Sequence, residues 1–69
     1  MRSTNLKIAR VRAGIKQKEL ARRIDLDPTT LSRMENGKTR PSLKRLQMLS
    51  NELNVSIDEL ARDYPVERD

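Results

Sequence analysis

The sequence contains no cysteine, histidine, tryptophan or phenylalanine, and a single tyrosine among 69 residues. Without cysteine there is no disulfide and no thiolate chemistry. Without either Cys or His, the common zinc sites and the Ser-His and Cys-His nucleophiles are excluded. No acidic loop of EF-hand spacing is present. Oxygen-ligand metal sites remain open to such a composition, but no motif for one is seen, and no catalytic residue, cofactor, metal or small-molecule ligand is expected. One aromatic, Tyr64, is too few for the stacking platforms that bind single-stranded nucleic acid, so a nucleic-acid partner would be a duplex. Two glycines and three prolines leave little room for long loops, and they fall at element boundaries. No apolar run is long enough to span a membrane or to act as a signal peptide, so a cytoplasmic location is expected.

What the sequence does have is charge, unevenly placed. The net charge is +5, with a pI near 10.2. Residues 1–45 hold 13 Lys/Arg against 4 Asp/Glu, and residues 46–69 hold 2 against 6. The first part would attract a polyanion and the second would not. Sixty-nine residues make one small domain, which buries only about 60% of its unfolded surface.

Apolar spacing predicts about five helices and no strand. Ser3 or Thr4 can cap a first helix over about 4–13, with Leu6, Ala9, Arg10 and Ala13 on one face and Ile8 and Val11 on another. Two apolar sides imply two packing neighbours. Gly14 ends the helix. A second helix, about 17–24, buries Leu20, Ala21 and Ile24; Lys16 is a poor cap for it. Asp25-Leu26-Asp27 forms a tight turn with Leu26 as its plug. A third helix, about 28–36, is fenced by Asp27-Pro28 and Asn36-Gly37. Ser42 caps a fourth, about 42–53, striped by Leu43, Leu46, Leu49 and Leu53, and Asn54 closes it in the left-handed conformation. Ser56 and Glu59 form a capping box for a fifth, about 56–63, bearing Ile57, Leu60 and Ala61.

The third helix poses a question. Only Leu31 and Met34 are apolar within it, and a helix so short is unstable alone. Its other face carries Thr29, Ser32, Arg33 and Asn36, flanked by Pro28 and Thr30. Short polar groups and one forked cation suit the edges of base pairs: Arg can bridge guanine O6 and N7, and a Thr methyl can rest on that of thymine. No acidic side chain lies on that face to repel phosphate. A turn of about three residues joins it to the second helix, and small Ala21 lets the two cross closely, which is the helix-turn-helix arrangement.

The stretch QKELARRIDLDPTTLSRMENGKTRPSLKRLQMLSNELNVSIDEL resembles the Cro/cI-like (XRE) helix-turn-helix family. That family includes phage repressors, Cro proteins and restriction–modification controller proteins. The matching marks are Gln17, Glu19-Leu20-Ala21, Leu31, Glu35-Asn36-Gly37, Pro41-Ser42-Leu43 and Asn54-Val55-Ser56-Ile57, within roughly residues 5–63. Two positions depart from the pattern: Asp25 stands where Gly is usual in the turn, and Lys16 replaces a capping residue. The resemblance implies an all-α, compact five-helix bundle, a lambda-repressor-like DNA-binding domain occupying residues 1–69. It implies base contacts from Thr29 and Arg33, with Ser32 and Pro28 nearby. Gln17 would meet a phosphate, as would Thr30, Asn36, Lys38, Arg40 and Lys44. Residues matching Arg10 and Glu35 form a buried ion pair in phage repressors of the family.

The implied function is a bacterial or phage-encoded transcriptional regulator that binds duplex DNA in a sequence-specific manner. It would be a repressor, acting as a homodimer because one recognition helix reads few base pairs. Ile57, Leu60, Tyr64 and Val66 offer apolar surface for that dimer, and each serves equally well as core packing against Ile8 and Val11. The alternative is a protein-interaction module, as in bridging factors and antitoxins of the same fold. The basic recognition side argues against it.

Overall fold

The computed structural model describes residues 3–64. Five helices follow in order: α1 (Asn5–Ala13), α2 (Gln17–Arg23), α3 (Pro28–Glu35), α4 (Leu43–Leu53) and α5 (Ile57–Ala61). No strand occurs among the described residues. Four starts are capped by a side-chain oxygen. Thr4 accepts from the Lys7 N–H at 3.2 Å, Asp27 from Thr29 at 3.0 Å, Ser42 from Arg45 at 3.2 Å and Ser56 from Glu59 at 3.1 Å. Each offsets one of the unpaired amides of a first turn. Lys16, before α2, makes no side-chain cap.

The ends of α1 and α4 are closed by left-handed residues. Gly14 has φ 72° and Asn54 φ 57°. Asp25, at φ 55°, lets the chain reverse between α2 and α3, with the Leu26 amide donating to Ala21 O at 2.8 Å. The fifth helix is shorter than its periodicity suggests. It stops at Ala61, and residues 62–64 turn back toward the body.

The core is one cluster built from Leu6, Leu20, Ile24, Leu31, Leu49 and Leu60, all fully buried, with Met34, Leu46 and Leu53 around them. α2 packs chiefly on α3 and α4 on α5, while α1 touches α3, α4 and α5. Ala21 has no exposed surface, as a close α2–α3 crossing requires. Leu26 packs against the cluster beneath its turn.

Two apolar groups depart from expectation. Leu43 is 64% exposed, because the first turn of α4 reaches past the elements it packs on; the buried stripe is Leu46, Leu49 and Leu53. Ile8 and Val11 are exposed as well, so the buried apolar residues of α1 are Leu6 and Ala9.

Candidate nucleic-acid interface

Pro28 at the first position of α3 fixes the helical φ and removes an amide that would otherwise lack a partner. From that start the 3.6-residue period turns Leu31, Met34 and Glu35 inward. Pro28, Thr29, Arg33 and Asn36 are left exposed, and Thr30 and Ser32 half-buried. Gln17, Pro28, Thr29, Ser32, Arg33, Asn36 and Lys38 line one open groove of about 450 Å³. Seven of the residues expected at DNA are thus brought together across α2, α3 and the loop after it. Thr30, Arg40 and Lys44 lie outside this lining; Arg40 and Lys44 are exposed on the loop and the first turn of α4.

The loop is held by the end of α3. Gly37 N–H donates to Met34 O at 3.0 Å, and Lys38 and Thr39 both donate to Arg33 O, at 2.9 and 3.3 Å. Pro41 is buried beneath it. Among the described residues Arg33, Lys38, Arg40 and Lys44 make no salt bridge, whereas Arg22 and Arg23 on α2 are occupied by Glu19, and Arg23 also by Glu52. Hydrogen bonds from Arg22 and then Arg23 hold the Glu19 carboxyl below its ordinary pKa. The unpaired cations beside the groove can meet an external anion.

Behind the groove lies an ion pair. Arg10 Nε donates to Glu35 Oε2 at 2.6 Å and Nη2 to Oε1 at 3.2 Å, with side chains only 14% and 2% exposed. Arg10 Nη1 also donates to Ile15 O at 2.9 Å. Gln17 joins the network: its Nε2 donates to Glu35 Oε1 at 3.1 Å. The last carbonyls of α3 are taken as well. Thr4 Oγ1 donates to Glu35 O at 2.8 Å, and the Tyr64 hydroxyl donates to Met34 O. Apart from the Arg10–Ile15 bond, these contacts join residues 18 to 31 positions apart, and sequence spacing carries no signal for them.

The expected dimer surface needs correction. Leu60 is fully buried and Tyr64 is 5% exposed. Leu60 is the inward residue of the single turn of α5, and Tyr64 inserts to reach the end of α3. Neither is free to meet a second subunit. Ile57 is half-buried against the core, and Val66 lies outside the described residues.

A helix-turn-helix family model matches residues 6–60. The chain belongs to this family, of XRE type. It is a DNA-binding transcription regulator. Control protein C.MunI of a Mycoplasma species is 36% identical over 61 residues, covering 88% of this chain and 82% of that protein. No solved structure gives a significant match. None of the helices among the described residues is long and apolar enough to cross a membrane.

Proposed function

We propose that this regulator is a repressor that reads a pseudo-palindromic operator as a homodimer, with α3 in the major groove. The observation that carries this reading is the groove itself: Thr29, Ser32 and Arg33 converge with Gln17, Asn36 and Lys38 on one open surface without an acidic lining residue. Arg33 is its only forked donor and reads a guanine; Thr29, one turn earlier, meets the neighbouring step, with Ser32 and Pro28 beside them. Gln17, Thr30 and Asn36 contact phosphates near the helices, and Lys38, Arg40 and Lys44 contact them along the loop. Likeness to a control protein supports a role in setting transcription. Of the four apolar residues expected at the dimer interface, Ile57, which retains exposed surface at the start of α5, and Val66, which lies outside the described residues, keep that role.

The test is selection of bound sequences from a random duplex pool by wild type and by Arg33→Ala. Wild type should select two-fold sites whose half-site centres lie about 34 Å apart. Arg33→Ala should cost about 1–3 kcal/mol per half-site and lose preference at one symmetric position, with non-specific binding nearly intact. Matching logos would remove Arg33 from base reading, and a wild-type logo without two-fold symmetry would remove the dimer. Transcription from a selected site should fall when protein is added, and a rise would overturn repression. Salt-independent or absent duplex binding would overturn the DNA-binding role of the groove.

A further inference from the structure

Glu35 is the most deeply buried charged residue beneath the groove, 2% exposed at the end of α3. Among the described residues its Oε2 accepts from Arg10 alone, while Oε1 is shared between Arg10 Nη2 and Gln17 Nε2. A carboxylate only accepts, so Gln17 must turn its nitrogen toward Glu35. That decides the orientation of an otherwise free amide. One N–H of Gln17 is committed inward to Glu35, and the same side chain lines the groove with Thr29, Ser32 and Arg33. A carboxylate behind a phosphate site would normally repel the phosphate. The two-pronged contact with Arg10 cancels that charge, and Arg10 is itself anchored to Ile15 O.

We propose that Glu35, neutralised by Arg10, is a positioning residue for phosphate binding: it fixes the Gln17 amide so that its second N–H faces the groove before DNA arrives. The role presupposes that the groove receives DNA. A mobile glutamine surrenders rotamer freedom on binding, and one already fixed does not, so preorganisation appears as affinity. The ion pair is then more than a strut of the fold, because it reaches the ligand through Gln17.

Two measurements test this. The first needs no DNA. Gln47 is exposed on α4 and is the other glutamine of the chain. Side-chain amide order parameters of the free protein should be near backbone values for Gln17 and low for Gln47; equally low values would overturn the proposal. The second compares wild type, Gln17→Ala, Arg10→Met/Glu35→Leu and the triple variant for affinity on a selected duplex, with melts to verify folding. In the wild-type background Gln17→Ala should weaken binding about tenfold per subunit, as for one hydrogen bond to a charged group. In the apolar background it should weaken binding less than about threefold, because Gln17 is no longer held. Equal losses in both backgrounds would overturn the positioning role. If wild type binds no duplex while Gln17 is ordered, the proposed function fails and the fixed amide stands.

Discussion

Replacing Arg10 by Met should bring the fold close to unfolding. The change removes both contacts to Glu35 and the donor to Ile15 O. What remains is a carboxylate 2% exposed, with Gln17 as its only side-chain donor among the described residues. Breaking a buried pair from one side costs about 3–5 kcal/mol, since the surviving charge stays out of water. A chain of this size has roughly 3–10 kcal/mol of total stability, so one substitution removes a large share of it. Urea unfolding followed by far-ultraviolet circular dichroism reads the loss directly. With a slope near 1 kcal/mol per M, the midpoint should fall by roughly 3–5 M. Adding Glu35→Leu removes the stranded charge and fills its site with apolar volume, so much of the loss should return. Arg10 can be missed by Ile15 O, which is half-buried and can find water. The double variant should therefore lie well above the sum of the single changes. A single variant within about 0.5 M of the wild-type midpoint, or strictly additive losses, would refute the view that these groups depend on each other.

Three further outcomes follow from particular residues. Asp25 holds φ 55°, so Asp25→Gly should relieve left-handed strain and raise stability by about 0.5–1 kcal/mol, net of the extra freedom of unfolded glycine; a thermal midpoint that falls would show the turn to be unstrained. Burial raises the Tyr64 phenol from 10.0 to about 12, with the carboxylates of Asp63 and Glu35 adding to it. The folded state then keeps that proton longer than the unfolded chain, so stability is intact below pH 10 and declines between pH 10 and about 12. Tyr64→Phe should lack this part of the decline in urea melts, and equal declines would remove Tyr64 as its source. Arg40→Ala should weaken binding to all duplexes alike and reduce the log–log salt slope by about 0.9 per subunit; an unchanged slope would remove Arg40 from the phosphate contacts.

The local features were legible because each has a local cause. Thr4, Asp27, Ser42 and Ser56 are short oxygen-bearing residues set before apolar periods, and all four cap helices. Asp25 stands where the resemblance puts Gly, the residue that most readily takes positive φ, and its φ is 55°. Periodicity found the inward faces of α2 and α3 for the same reason. It erred at Leu43, Ile8 and Val11 because a helical period tells which residues share a face, not whether a neighbour extends over it. Leu60 and Tyr64 could serve a partner subunit or core packing equally well on sequence alone; the chain turns after Ala61 and spends both on its own core. The Arg10–Glu35 pair came through family resemblance, and the Gln17 bond to Glu35 had no local signal.

These long-range contacts answer what a helix with so few apolar residues is held by. Leu31 and Met34 anchor its inner face, but its end is fastened by other elements: Thr4 before α1 and Tyr64 after α5 each donate to one of its last carbonyls. Carbonyls that would usually turn to water instead set the tilt of α3 against the rest of the bundle. Arg10 and Gln17 add a second fastening through the Glu35 side chain. None of these donors lies on the outward face of α3. The side chains of Thr29 and Arg33 are consequently not needed to hold the helix, and among the described residues neither makes a side-chain hydrogen bond within the protein. Orientation and reading are thus assigned to different atoms of one short helix. Substitution at Thr29 or Arg33 changes what the groove presents while Thr4, Tyr64 and Glu35 keep it in place, and for that reason the Arg33→Ala logo reports on base reading rather than on folding.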